Sequence, residues 1–324
     1  MRWVLIWIWL LFAASPVWAT KVLLVESYHS EYPWDASYVE GLTETLEPGV
    51  ELMTYQMDTK RLPVEKHQAQ AEKAFAVYQQ YQPEIVILGD DNAFNYLLPK
   101  LYQQPISIVF LGVNANPRAL LMQYRGQAKV TGVLERPSFV KSLIELRRLF
   151  ANESFSVRIL FDSGVTSRIA KDYIEKQYSL IKNTLGIDVE IEVIQTMPQW
   201  QQTVLNAKQA GFSVIIVGLY QTLVDEEGNH VVDTEVISWT NRHSPLPIFA
   251  FWDFAVGENK AAGGVVLFGR SQGVHAANLV NEIIQTGHEP IIPIVTDNQG
   301  QAIYSRKEFQ RWGLNMPYHW QAIE

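Results

Sequence analysis

Short runs of β-branched and aliphatic residues recur along this chain, separated by longer amphipathic segments. The runs that predict strands are Val22–Glu26, Val50–Tyr55, Ile85–Leu88, Ile106–Gly112, Val130–Val133, Arg158–Phe161, Val189–Val193, Val214–Leu219, Ile248–Phe251, Val265–Phe268 and Ile291–Val295. Between most of them lies a segment with helical spacing: Glu65–Tyr81, Asn92–Tyr102, Phe139–Phe150, Thr166–Leu185, Gln199–Ala210 and Gln272–Thr286. A further helix follows the first strand, with Val39, Leu42 and Leu46 on one face. Strand and helix in alternation mean βαβ units and parallel sheets, so the fold class is α/β.

One sheet of eleven strands would be unusually large, and the sequence offers a break. After Val130–Val133 comes Leu134-Glu135-Arg136-Pro137, where the proline disfavours helix at Arg136. The second half then opens as the first did: Arg158–Ser163, a loop and a helix from Thr166 parallel Val22–Ser27 and its helix. This predicts an internal pair of similar lobes, the alternative being chance likeness between two common strand–helix units.

In an open α/β sheet, ligands bind beyond the carboxyl ends of the strands. The first strand end carries Tyr28, His29, Tyr32, Trp34 and Asp35, which either stand at the mouth of a site or only cover the core. The second, Gly89-Asp90-Asp91-Asn92-Ala93, begins a helix; one of its polar residues serves as N-cap, leaving one or two to face a ligand. The third is Phe110–Pro117, where Gly112 and Asn114 permit a tight exit and Pro117 starts the next helix. The second half contributes Asp162–Thr166, Gly218–Thr222 and Phe251–Phe254. Turn chemistry accounts for any one of these, but recurrence at so many strand ends points to a shared cleft.

The amino terminus falls outside this pattern. Arg2, the apolar run Val4–Ala14 and the ending Pro16-Val17-Trp18-Ala19 predict a signal peptide, residues 1–19, cleaved after Ala19. With no cysteine in the chain there is no thiol to lipidate and no disulfide framework, so a soluble, exported, unanchored periplasmic protein is expected. A formal net charge of −8 argues against a nucleic-acid partner, whose phosphates call for a basic stripe. Neither G-x-G-x-x-G nor G-x-x-x-x-G-K-[ST] is present, and the seven histidines are scattered with no H-E-x-x-H pair. No cofactor is expected, and Asp90 and Asp91 lack the further ligands a divalent metal needs.

One motif suggests an enzyme. Gly269-Arg270-Ser271-Gln272-Gly273 is G-x-S-x-G between a strand and a helix, and Asp297 and His319 follow in the order used by serine hydrolases. Too little chain remains for the βα units that carry the acid and the histidine in that fold, and no HGGG-like oxyanion loop is visible, so a secreted hydrolase with Ser271 as nucleophile is the alternative reading.

Several segments together resemble the periplasmic substrate-binding proteins of ABC transporters, in the branch of type I binding proteins that also supplies extracellular sensor modules. They are Ser27-Tyr28-His29, Tyr32-Pro33-Trp34-Asp35, Gly41-Leu42, Gly89–Ala93, Phe110–Asn114, Thr131-Gly132-Val133, Trp252-Asp253-Phe254, Gly263-Gly264, Gln272-Gly273 and Ala276-Ala277, in order along nearly the whole chain. The resemblance implies two Rossmann-like lobes with parallel sheets joined by crossover hinge strands, residues 20–133 plus 263–290 forming the N-terminal lobe and 134–262 plus 291–324 the C-terminal lobe. It implies no catalysis, a ligand held in the cleft, and an inner-membrane ABC permease or a sensor kinase or cyclase as partner.

The expected ligand-binding residues are Tyr28, Trp34, Asp90, Asp91, Asn92, Asn114, Asp162, Thr166, Tyr220, Trp252 and Asp253. Tyr28, Trp34, Tyr220 and Trp252 offer flat faces for a ring, a sugar or a cation, and the aspartates offer acceptors. Helix starts near Ser37, Asn92 and Thr166 suit a carboxylate, although the matched motifs hold no arginine to clamp one. The expected ligand is small and polar: an amino acid, a sugar or an amine.

Overall fold

The computed structural model describes residues 19–150, 154–287, 292–297 and 300–324. The expected signal segment lies outside these residues, apart from Ala19. The first half runs β1 (Thr20–Glu26), α1 (Pro33–Thr45), β2 (Val50–Gln56), α2 (His67–Tyr81), β3 (Ile85–Gly89), α3 (Asp90–Leu101), β4 (Ser107–Val113), α4 (Arg118–Gln123) and β5 (Lys129–Glu135). The second continues with α5 (Phe139–Leu149), β6 (Phe155–Asp162), α6 (Val165–Glu175), α7 (Tyr178–Leu185), β7 (Ile187–Ile194), α8 (Met197–Asn206), β8 (Val214–Val217), α9 (Asp233–His243) and β9 (Ile248–Ala250). The chain ends with β10 (Gly263–Val266), α10 (Gly269–Thr286), β11 (Val295–Asp297), β12 (Gln301–Tyr304), α11 (Arg306–Arg311) and β13 (Gln321–Ala322).

Two parallel sheets form two lobes. The first has strand order β11-β5-β4-β3-β1-β2 and the second β7-β6-β8-β9. Every residue of β3 and β4 is buried, as expected of central strands covered on both faces, whereas the edge strands β2 and β7 are partly exposed. Alternation along the strands divides the apolar residues of the first sheet. Leu23, Val25, Val86, Leu88 and Phe110 share a cluster with Ala71 and Ala74 of α2 and with Phe94 and Leu98 of α3. Val22, Leu24, Ile87, Val109 and Leu111 face the other way, into a cluster that includes α1 and α10 and continues into the second lobe.

The contact between α1 and α10 is backbone on backbone. A Cβ added to Gly273 would lie 1.9 Å from the carbonyl oxygen of Tyr38, and one added to Gly41 would lie 2.3 Å from that of Arg270. The glycines of Gly41-Leu42 and Gln272-Gly273 therefore let α10, late in the chain, seat against the first lobe.

The strand pairing moves the expected crossover points. A first-lobe segment beginning at 263 does not match the pairing, because β10 lies beside β9: the amide of Ala262 donates to Ile248 O and that of Leu267 to Phe251 O. The chain returns at α10, and β11 adds a parallel strand beyond β5 on the first sheet. It then crosses again to β12, which pairs antiparallel with β10 and parallel with β13. Of the strand expected at Ile291–Val295, the first residue lies outside the described residues and only Val295 is in a strand, β11; the helix expected over Thr166–Leu185 is two helices, α6 and α7, with no Gly or Pro at the break. No helix among the described residues is long and apolar enough to cross a membrane.

Candidate ligand-binding cleft

The carboxyl ends of both sheets meet between the lobes. After β1, the amide and hydroxyl of Ser27 both donate to Gly89 O, and the same hydroxyl accepts the amide of Ala93 at 2.7 Å, fastening the first loop to the start of α3. Tyr28 and Tyr32 then pack edge to face, with ring centroids 5.3 Å apart, and α1 begins at Pro33, whose missing N–H suits a first turn. This carries Trp34 inward, where its indole Nε1 donates to Asp90 Oδ2 at 3.2 Å.

The three polar residues opening α3 have separate tasks, and none caps the helix, contrary to expectation; the cap position is Gly89. Asp91 accepts the amides of Asn114 (3.1 Å) and Ala115 (2.9 Å), holding the turn after β4. Asn92 donates to Thr59 Oγ1 at 2.8 Å and ties down the turn after β2. Of the three, Asp90 alone faces the small cavity between the lobes, from a backbone with φ of +68°, and the absent side chain of Gly112 makes room for its carboxyl, which a Cβ there would meet at 3.1 Å.

From the second lobe, Asp162 accepts the amides of Gly164 and Thr222, each at 3.0 Å, and the Ser167 hydroxyl at 2.5 Å, so its oxygens brace the start of α6. Thr166 Oγ1 lies 3.3 Å from the Tyr28 hydroxyl across the lobe boundary. Trp252 Nε1 donates to Glu135 Oε1 at 2.7 Å, and Asn114 Nδ2 donates to the other oxygen at 3.0 Å. Tyr220 is buried behind the cleft against Phe254, which in turn meets Tyr32 with centroids 5.5 Å apart. Asp253 opens a short 3-10 turn, Asp253–Ala255, and burial raises its pKa to about 6.

Between the lobes remains a small cavity of about 10 Å³, lined by Tyr28, Tyr32, Trp34, Lys60, Asp90, Glu135, Thr166, Leu219 and Trp252. It has room for roughly one water molecule, so the lobes are closed upon each other. A groove of about 730 Å³ adjoins it between residues 59–67 and the start of α6, sharing Tyr28, Lys60, Thr166 and Leu219 with the cavity. A larger concavity of about 880 Å³, near Gln82, Pro83 and Ile106, sits at the amino ends of β3 and β4, away from this constellation.

Of the eleven expected residues, Tyr28, Trp34, Asp90, Thr166 and Trp252 line the cavity; Asn92 and Asp162 border the groove; Asp91, Asn114, Tyr220 and Asp253 line neither. Lys60 and Glu135 were missed. Lys60 also follows a strand, in Asp58-Thr59-Lys60-Arg61 after β2, so the strand-end rule applied to that strand would have found it. Its ammonium lies 4.4 Å from the ring centre of Tyr28 and 4.7 Å from that of Tyr32. Glu135 sat in a segment read as a domain boundary.

Burial dominates the electrostatics. Desolvation raises the pKa of Glu135 to about 8, against the indole and amide that stabilise its anion, and raises that of Glu26 to about 7. Desolvation and neighbouring carboxyls push Asp90 and Asp35 well above the ordinary range, and desolvation also raises Asp91. Neither oxygen of the fully buried Asp35 closes a hydrogen bond of good geometry, although the hydroxyl of Tyr38 lies beside it. The floor of the first lobe is thus a group of carboxyls whose anions burial disfavours, a cost that a cation placed beside them offsets.

The serine motif assembles no triad. Ser271 Oγ lies 2.8 Å from Phe268 O and 2.5 Å from Asp297 Oδ2, so the acid contacts the serine directly with no imidazole between them. His319 is paired with Glu145 at 2.7 Å instead. The motif is the first turn of α10, where the Gln272 side-chain oxygen accepts the amide of Gly112 at 2.9 Å.

This architecture is the type I periplasmic binding protein fold. The chain superposes with a TM-score of 0.69 on the ABC domain in complex with L-Trp from Streptococcus pneumoniae, 16% identical, covering 94% of this chain and 99% of that one. A conserved domain protein from Vibrio cholerae gives a TM-score of 0.70 at 13% identity, with the same coverage of 94% and 99%. A glucose-galactose binding protein from Geobacillus stearothermophilus gives 0.60 at 15% identity, covering 88% and 97%. No family model matches the sequence, and no curated protein matches it.

Proposed function

We propose that this chain is a periplasmic solute-binding protein without catalytic activity, which captures a small polar ligand between its lobes and presents the closed form to an ABC permease or to a sensor kinase or cyclase. The observation that carries the reading is the cavity at the carboxyl ends of both sheets, where Trp34 and Tyr28 of one lobe meet Trp252 and Thr166 of the other beside Asp90 and Glu135. Structural neighbours, one described in complex with L-Trp and one as a glucose-galactose binding protein, fit such a role. Tyr28, Trp34, Asp90, Thr166 and Trp252 are the ligand's contacts in this account, and Asp91, Asn92, Asn114 and Asp162 hold the loops that carry them. Because the closed cavity holds about one water, ligand enters the open form and closure is a population shift driven by its preference for the closed lobes.

The test is a titration with amino acids, amines and sugars followed by tryptophan fluorescence. With two indoles on the cavity wall, a bound solute changes the emission saturably, and Trp34→Phe with Trp252→Phe removes most of that change. Emission that no solute alters would contradict the proposal.

A further inference from the structure

The cavity holds the carboxyls of Asp90 and Glu135, the wall that it shares with the groove holds the ammonium of Lys60, and on each side one buried group has unused bonding capacity. On the cavity side, Asp90 is 2% exposed; Oδ2 accepts Trp34 Nε1, while Oδ1 accepts from none of the described residues. Asp90 lines the cavity but not the groove. On the shared wall, Lys60 is 7% exposed and lines both, yet among the described residues its ammonium has neither a hydrogen bond nor an ion pair, only the faces of Tyr28 and Tyr32. Beyond Lys60 the groove reaches the start of α6, an eleven-residue helix; the amide of Gly164, the residue just before it, is taken by Asp162. The amides of Val165 and Thr166 donate to none of the described residues.

Resting on the solute-binding reading, we propose that the cleft takes a zwitterion of the amino-acid type, its ammonium against Asp90 in the cavity and its carboxylate against Lys60 and the first turn of α6. Each simpler charge class leaves something unmet. A plain amine places its cation beside the buried ammonium of Lys60. A plain carboxylate faces Asp90 and Glu135. A neutral sugar supplies hydrogen bonds but brings no anion to the buried ammonium of Lys60 and no cation to offset the desolvation of Asp90, and buried ionisable groups are the expensive ones to leave unpaired. A zwitterion in this orientation answers Asp90 and Lys60 together, with charge-assisted bonds at both ends, and the helix start adds favourable donors for the carboxylate. Lys60 thus takes the part for which the sequence motifs offered no arginine.

Calorimetric titration of the full chain tests this with the twenty protein amino acids, the decarboxylated amine and deaminated acid of each, and glucose, galactose and ribose. The expected result is an amino acid whose amine and acid counterparts each bind about tenfold or more weakly, a gap of about 1.4 kcal/mol. Lys60→Met is expected to bring the amino acid down towards its amine, and Asp90→Asn to bring it down towards its acid. The analogue comparison uses the unaltered protein and so does not depend on either variant folding. An amine, acid or sugar that binds as tightly as every amino acid overturns the zwitterion assignment and leaves the solute-binding reading standing. A panel that is silent in every class overturns both.

Discussion

The indole nitrogen of Trp252, carried by the second lobe, donates at 2.7 Å to Oε1 of Glu135, the last residue of β5 in the first lobe. With the Tyr28–Thr166 contact it ties the two lobes at the floor of the cleft. Trp252→Phe keeps most of the apolar bulk and removes the donor, so its main effect falls on closure. A hydrogen bond to a neutral buried carboxyl contributes roughly 0.5–1.5 kcal/mol, and one to its anion roughly 1.5–3 kcal/mol. Small-angle scattering of the ligand-free variant is expected to show a larger radius of gyration than the parent; equal radii would mean that the bond does not hold the lobes together.

The raised carboxyl pKa values fix the sign of the pH dependence. Glu135 moves from an ordinary 4.5 to about 8 on folding, so between those values the folded chain holds a proton that the unfolded chain has released. Its contribution is complete below pH 4.5 and is lost as pH rises through 8. Glu26, at about 7, and Asp253, at about 6, act in the same direction over narrower windows. Urea unfolding at pH 5, 7 and 9 is expected to show stability falling with pH by on the order of a few kcal/mol, and Glu135→Gln should flatten the upper part of that decline. Stability that rises over this range would contradict the assignment.

Gly273 sets the approach of α10 to α1. An alanine there places its Cβ 1.9 Å from Tyr38 O, a clash with backbone that no rotamer relieves. Gly273→Ala is expected to destabilise the protein by on the order of 1–3 kcal/mol through forced separation of the helices. A thermal midpoint equal to the parent's would show that α10 is not seated as described.

Ser271 is bound to Asp297 and the Phe268 carbonyl rather than to a histidine. A fluorophosphonate probe is therefore expected to leave the protein unlabelled, while Ser271→Ala retains ligand binding. Labelling at Ser271 would revive the hydrolase reading.

Much of the fold was legible because its signals are local. The buried runs Val22–Val25, Ile85–Leu88 and Ile108–Leu111 can only be central strands, and their order with intervening helices defines parallel lobes. What was not legible depends on long-range pairing or polar packing. Nothing local distinguishes β10 as a neighbour of β9, and α9 was overlooked because its buried face is half polar: Val236 and Ile237 beside Thr240, which accepts the Trp200 indole at 2.8 Å, and Asn241. At the cleft, strand-end position pointed to Trp34, Asp90, Thr166 and Trp252, which line the cavity. It could not separate Asp90, which faces the cavity, from Asp91 and Asp162, which brace loops, because that distinction rests on which backbone amides each carboxylate meets. Glu135 was obscured by the neighbouring Pro137, which marks the crossover as well as the wall of the site.

The most direct test of the central claim is thermal unfolding of the chain, first unfolded and refolded to strip carried-over ligand, in the presence of amino acids, amines and sugars. A ligand at a hundred times its dissociation constant adds about 2.7 kcal/mol, which for lobes of this size raises the midpoint by roughly 5–10 °C. Such a rise is expected from one chemical class, and its loss in Asp90→Asn and Trp252→Ala. No rise from any compound, or a rise that both variants retain, would contradict the claim.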